Sequence, residues 1–301
     1  MRSPKGAAVN WVNAAVQGLL LGGLYALFAT GLSLAFGVMR FVNLAHGDLA
    51  ILGAYLAVST TATFDVNPFV ALLVVMPVMA ALGYVAQRVV FDRTIGPDPL
   101  PAILVTFGLG VVIQNALLEH YSADSRGLDA GTVETRSIQL TDDIAVGWLP
   151  LLTLATAVAV LVALQLVLSR TRAGRAFRAT ADDPDTARLM GIDHRRIYAR
   201  VMAIAFATAA LAGVFLGIRQ TFGPADGPVL LLFGFEAVVI GGLGSLWGTL
   251  VGGLVLGVAQ ALGSQVDVRY DLLSGVLYGH LVFLTVLALR PQGLFGRRGR
   301  A

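Results

Sequence analysis

Long uncharged runs, rather than short alternations of polar and apolar residues, set the pattern of this chain. Residues 6–39, 49–64, 66–87, 99–118, 144–169, 201–218, 237–266 and 272–289 contain no Asp, Glu, Lys or Arg. A helix rises about 1.5 Å per residue and a bilayer's hydrocarbon layer is about 30 Å thick, so about 20 apolar residues cross it. Most of the runs reach or approach that length, and 49–64 is short. Lipid offers no partners to bare backbone N–H and C=O groups, so the runs predict helices. A β-barrel would instead show segments of about ten residues alternating in polarity, and these are absent. The predicted fold class is all-α: a polytopic membrane protein with about eight to ten membrane segments, some broken or re-entrant, in a single domain over 1–301.

Two places read as interrupted helices. The run 237–266 would be about 45 Å long if straight, well beyond the bilayer core. Gly241-Gly242-Leu243-Gly244-Ser245 lies in its first third, and glycine suits a break or a close backbone approach. The second place is 36–53, where Gly37, Arg40 and Asp48 separate two apolar runs. Broken membrane helices commonly line substrate sites, because their free backbone groups need polar company. An ordinary glycine packing face is the other reading, and Gly252, Gly253 and Gly257 suit it well.

Charge then orients the chain. The segment 169–200 carries eight arginines (Arg170, Arg172, Arg175, Arg178, Arg188, Arg195, Arg196 and Arg200) against four aspartates. The tail adds Arg290, Arg297, Arg298 and Arg300 without an acid, whereas 119–143 has six acids against Arg126 and Arg136. Lys/Arg enrichment marks the cytoplasmic side, so 169–200 and the C-terminus are expected inside and 119–143 outside. Arg88 and Arg93, near Pro97, Pro99 and Pro101, mark another cytoplasmic turn. With both ends of 201–290 inside, an even number of crossings requires the split near Gly244. The side of the N-terminus stays open, because Arg2 and Lys5 compete with Arg40. The first apolar run is too long for a cleaved leader and is expected to be a retained helix.

Composition removes several function classes. Charged residues make up 13% of the chain and hydrophobic ones 56%, too few charges to cover a water-facing surface. With no cysteine there is neither a disulfide nor a thiolate metal site. His46, His120, His194 and His280 have no metal-ligand spacing. The one lysine, Lys5, and the lack of a G-x-x-x-x-G-K-[ST] segment leave no phosphate-cradling loop, so any ATP must be hydrolysed by another protein. No catalytic constellation, metal site, resident cofactor or nucleic-acid partner is expected.

The basic loop holds a compact signal. Asp182 or Asp183 suits an N-cap, Pro184 the first turn, and Gly191 a C-terminal stop, which predicts a short helix over 184–190. Its Ala187, Leu189 and Met190 are apolar outside the bilayer, the shape needed to enter a partner's groove. A loop lying on anionic lipid is the alternative.

Asp185-Thr186-Ala187-Arg188-Leu189-Met190-Gly191 resembles the E-A-A-x-x-x-G coupling motif of bacterial ABC importer permeases, with Asp and Thr replacing Glu and Ala. Phe36-Gly37-Val38-Met39-Arg40-Phe41-Val42-Asn43-Leu44-Ala45-His46-Gly47-Asp48, the following Gly53-Ala54-Tyr55, and Gly241-Gly242-Leu243-Gly244-Ser245 with Gly248 resemble the branched-chain amino acid permease family, LivH type. The resemblance covers about Trp11 to Phe295. It implies a multi-pass protein of the bacterial inner membrane forming half of a translocation pathway. A second homologous permease, two cytoplasmic ABC ATPases and an extracytoplasmic binding protein would be its partners. The loop 169–200 would then transmit ATPase motion through 185–191. Branched-chain or other hydrophobic amino acids are the implied substrates, though similar permeases are associated with urea, short amides and aromatic acids. Candidate pathway residues are Asn43, His46, Gln114, Asn115, Glu236 and Ser245, with Gly241, Gly242 and Gly244 at the helix break. Each has a bland reading: Asn43 satisfying backbone at a break, His46 a satisfied structural group, and Gln114 with Asn115 bonding between helices. A membrane carboxylate such as Glu236 is costly unless paired or wetted, and Arg219 is a conceivable partner. An ATP-independent carrier or channel would instead make the loop dispensable and rely on Glu236 or Asp48. A scaffold without a pathway would leave the broken helices unexplained.

Overall fold

A computed structural model of the chain describes residues 4–96, 98–141, 144–270 and 274–296. Expectations resting on Arg2, the side chain of Lys5, Pro97, Asp142, Asp143, Arg297, Arg298 and Arg300 fall outside the described residues. In chain order the helices begin with α1 (Pro4–Met39), α2 (His46–Phe64), α3 (Pro68–Val89) and α4 (Leu100–Tyr121). The short α5 (Thr132–Thr135) and a hairpin of β1 (Ser137–Thr141) and β2 (Ile144–Gly147) follow. Next come α6 (Trp148–Arg170), α7 (Arg172–Asp182), α8 (Pro184–Leu189) and α9 (His194–Arg219). The chain continues through α10 (Gly227–Gly241), α11 (Leu246–Tyr270) and α12 (Gly275–Leu289).

Seven helices among the described residues are long and apolar enough to cross a bilayer, and α10 and α12 are shorter apolar helices. The fold is all-α and polytopic, as the run lengths predict. Local sequence explains several ends. Asn67 caps α3 by accepting from the Phe69 amide, with Pro68 at the first position. Asp193 caps α9 by accepting from the Arg196 amide.

Helices α1 and α9 form the centre. They are more than three-quarters buried over their most apolar stretches, whereas α3, α4 and α6 bury under a third. The outward face of those three carries Leu73 on α3, Leu104 and Phe107 on α4, and Leu166 on α6 in the open. Apolar surface of that extent belongs against lipid or another apolar subunit. Small residues let the inner helices approach closely. A Cβ on Gly22 would lie 2.6 Å from the Leu254 Cα, and one on Gly253 would lie 2.7 Å from the Ala26 amide. These contacts join α1 and α11 in antiparallel register, so Gly253 and Gly257 serve packing.

The two ends of the bundle are distinct. At one end the Gln17 side chain donates to the Ala145 carbonyl in β2. There the Arg126 and Phe222 backbones bond to each other, and the Leu128 amide donates to the Gly217 carbonyl. The start of α1, the hairpin loop and the far end of α9 therefore share one end. At the other end, the Leu294 amide donates to the Ile240 carbonyl (2.9 Å) and the Phe295 amide to the Gly241 carbonyl (3.0 Å). The C-terminal tail thus satisfies the open carbonyls of α10. The basic loop follows α6 away from the hairpin, and its α7 rests on α1. The acidic and basic loops lie at opposite ends, the relative arrangement that the charge pattern predicts.

Candidate functional site

Both predicted interruptions are present, and each is built from residues singled out in the sequence. Helix α10 stops at Gly241, and Gly242 and Gly244 take positive φ values of 105° and 79°. Only glycine enters that region at little cost. Ser245 then starts α11: its Oγ accepts from the Gly248 amide at 3.1 Å, an N-cap arrangement. Ser245 is thereby occupied with capping.

The first interruption follows Met39. Arg40 adopts φ 51°, and the chain runs without regular structure until His46. Asn43 organises this stretch, its Oδ1 accepting from the Ala45 amide and its carbonyl from the His46 amide. The buried His46 ring lies edge-on to Phe28, with Nε2 3.1 Å from the Phe28 carbonyl. Asn43 and His46 thus satisfy a helix break. The two breaks touch: a Cβ on Gly37 would meet the Gly244 Cα at 3.2 Å. The end of α1 rests directly on the α10–α11 turn.

A second convergence lies inside the bundle, where the N-terminal ends of α2 and α10 meet at Gly47 and Gly227. Asp48, buried in the first turn of α2, has its carboxylate beside both Gly227 and Gly110, and Gln114 Nε2 donates to its Oδ1 at 2.8 Å. Helix N-termini carry partial positive charge, so one carboxylate between two of them is well placed. Gln114 therefore faces inward from α4 and bonds between helices. Its neighbour Asn115 faces out, bonding to the Val111 carbonyl of its own helix.

Glu236 stands apart from these groups. Its Oε1 lies 2.5 Å from His280 Nδ1 on α12. Of the partners open to Glu236, the structure supplies His280 on α12 and not Arg219, which the sequence offers only as a conceivable one. Among the described residues, the Glu236 Oε2 atom and the Gln260 Nε2 atom are buried without partners. Tyr25 donates from its hydroxyl to Gln260 Oε1 at 2.6 Å. No group of three or more His, Cys, Asp or Glu side chains suited to a metal ion occurs among the described residues.

The candidates thus fall into separate places. Asn43, His46 and Gln114 gather where α2 begins, Glu236 pairs across to α12, Ser245 lies at the basic end, and Asn115 faces outward. What sequence reasoning missed is a cavity of about 250 Å³ among α1, α2, α9 and α10. Leu24, Tyr25, Phe28, Leu216, Arg219 and Phe233 are among its lining residues.

The basic loop has the predicted form. Asp183, rather than Asp182, is the N-cap of α8: its Oδ1 accepts from the amides of Asp185 (3.0 Å) and Thr186 (3.1 Å). Its Oδ2 accepts from the Thr186 hydroxyl at 2.6 Å. At the far end the Gly191 amide donates to the Arg188 carbonyl and the Ile192 amide to the Ala187 carbonyl, both at 3.0 Å. With Gly191 at φ 82° this is a Schellman stop. Ala187 is buried, while Leu189 and Met190 are 87% and 79% exposed.

A bundle of apolar spanning helices, interrupted where α2 begins and again at the α10–α11 turn, and bearing an ordered basic loop at one end, is the architecture of a membrane transport permease. A family model described as the permease component of the branched-chain amino acid transport system matches residues 14–286. The chain belongs to that family. It is 31% identical to the high-affinity branched-chain amino acid transport system permease protein BraD of Pseudomonas aeruginosa, over 96% of each chain. It is also 31% identical to the permease protein LivH of Escherichia coli, over 93% of this chain and 94% of that one. A more distant relative is the fructose import permease protein FrcC of Rhizobium meliloti, 26% identical over 81% of this chain and 69% of the relative.

Proposed function

We propose that the chain is one of two permease subunits of an ATP-driven importer in the bacterial inner membrane. It forms half of the pathway for branched-chain or other hydrophobic amino acids as one transmembrane domain over 1–301. Its partners are a second permease, two cytoplasmic ABC ATPases and an extracytoplasmic binding protein. The basic end of the bundle faces the cytoplasm, which follows from its arginines. The observation that carries the reading is α8: a capped helix holding two large apolar side chains clear of the protein, where an ATPase groove can receive them. ATPase closure would push α8 and, through α7, the inner end of α1. Because α1 abuts the α10–α11 turn at Gly37 and Gly244, that push reaches both broken helices.

Hydrogen bonds from the Thr186 hydroxyl and amide hold the Asp183 carboxyl below the usual carboxylate range. A depressed native value means that this support is present at neutral pH and is lost only as pH falls below about 3.9 and through the native value. Asp183→Asn, an equivalent N-cap, is expected to retain ATPase binding, and Asp183→Ala to weaken it severalfold by titration of the purified complex.

The pair formed by the buried Glu236 and the partly exposed His280 favours a second reading, an ion-coupled carrier working without ATP. Uptake of radiolabelled leucine into proteoliposomes holding the complete transporter separates the two. Under our reading uptake requires enclosed ATP, and Glu236→Gln, which keeps a hydrogen-bonding group beside His280, stays within about threefold of wild type. Uptake without ATP, abolished by Glu236→Gln, would establish the carrier instead.

A further inference from the structure

The cavity among α1, α2, α9 and α10 carries an assignment of its own, which rests on the transport reading above. We infer that it is a transit site for the substrate inside the membrane domain, where Arg219 binds a carboxylate and the surrounding apolar wall receives the side chain.

Size sets the first limit. A cavity of about 150 Å³ holds benzene, with six heavy atoms. At the same packing, the 250 Å³ here holds a molecule of about ten non-hydrogen atoms. That is the size of a leucine or a slightly larger amino acid, and far below a two-chain phospholipid.

Chemistry sets the second. The wall is mostly apolar, with Leu24, Phe28, Leu216 and Phe233 prominent, and its lining includes one cationic group, Arg219, exposed at the end of α9 where the cavity opens. Among the described residues Arg219 makes neither an ion pair nor a side-chain hydrogen bond. A guanidinium presents a planar fork matched to a carboxylate, and such charge-assisted bonds are the strong ones. Tyr25 supplies a counterpart for an ammonium group. Its hydroxyl hydrogen is committed to Gln260, which leaves the oxygen's lone pairs free to accept. The faces of Tyr25 and Phe233, whose ring centroids are 5.1 Å apart, also attract a cation. The arrangement reads an amphipathic amino acid: carboxylate on Arg219, ammonium beside Tyr25, aliphatic side chain against the leucines. A neutral sugar would leave the guanidinium unused.

The test is ligand-detected NMR on the full chain in nanodiscs, with L-leucine, 4-methylpentanoate and L-leucinamide as probes. Saturation transfer to the leucine methyl groups is expected, with weaker transfer to 4-methylpentanoate and none to leucinamide, which lacks the carboxylate. Arg219→Gln is expected to weaken leucine binding at least tenfold and Arg219→Lys less. Size-exclusion profiles and co-purification of an ATPase verify that the variants remain folded and competent to assemble. Equal binding of leucine and leucinamide, or leucine binding unchanged in Arg219→Gln, overturns the assignment. So does native mass spectrometry that finds a phospholipid lost in Arg219→Gln while leucine binds neither protein, which would make the cavity a lipid site. Any of these outcomes leaves ATPase docking through α8 standing, because that is read separately.

Discussion

Replacing Leu189 and Met190 together by aspartate is expected to abolish ATP-driven uptake while leaving the membrane domain folded. Both side chains are already exposed in the isolated chain, so the exchange removes little internal packing. In a docked complex each would bury most of its apolar surface, a gain of about 1.5–3 kcal/mol per side chain. Aspartate forfeits that gain and adds the cost of desolvating an unpaired charge. A combined loss of at least about 4 kcal/mol corresponds to roughly a thousandfold in affinity. Gly191→Val approaches the same end differently. A Cβ there would meet nothing within 4 Å, so the penalty lies wholly in the backbone at φ 82°. An L-residue in that region costs roughly 1–2 kcal/mol, enough to unravel the stop of a six-residue helix. Co-purification of the ATPase and leucine uptake are the readouts, with the thermal melt of the permease expected to be unchanged. Normal uptake in either variant would count against docking through α8.

Gly213→Val is expected to have the opposite signature, a membrane domain that fails to fold. A Cβ on Gly213 would run into the carbonyl of Ala50, and the Ala50 Cα would be only 3.2 Å away. These are backbone atoms near the start of α2, which cannot rotate aside as a side chain can. About one turn further along α2, Gly53 meets Ala210 in the same close-packed seam. Forcing α2 from α9 disturbs the most buried part of the bundle, at a cost above about 3 kcal/mol. Gly108→Val is the matched control, since a Cβ there meets nothing within 4 Å. Fluorescence-detected size exclusion after graded heating should show Gly213→Val aggregated or absent and Gly108→Val close to wild type.

Local features were the ones legible in the sequence. Run lengths gave the spans, two glycine-containing interruptions gave the breaks, and a proline and a glycine around 184–191 gave α8 with its Schellman stop. Arginine and acid clusters separated the two ends. Pairings between helices were not legible. Gln114 reaches Asp48 across 66 positions, and Glu236 reaches His280 across 44. In a soluble helix an apolar stripe shows which face is inward. A membrane helix such as α4 is largely apolar all round, so hydropathy alone cannot tell Gln114, which faces in, from Asn115, which faces out. The same uniformity hid the cavity, whose leucines look like any other lipid-facing or packing residues. Arg219 was visible as a charge near the end of an apolar run, but nothing in the sequence placed it at a cavity, or placed His280 beside Glu236.

Because the chain has no cysteine, Met190→Cys places a single thiol at the C-cap of α8, and its cross-linking in native membranes tests the central claim directly. With a short cross-linker carrying a maleimide and a photoreactive diazirine, the account predicts one adduct whose mass is that of this chain plus a P-loop ATPase, lost when the ATPase is omitted. A Met190→Cys thiol that stays fully open to maleimide in the actively transporting membrane, with no ATPase adduct, would contradict it.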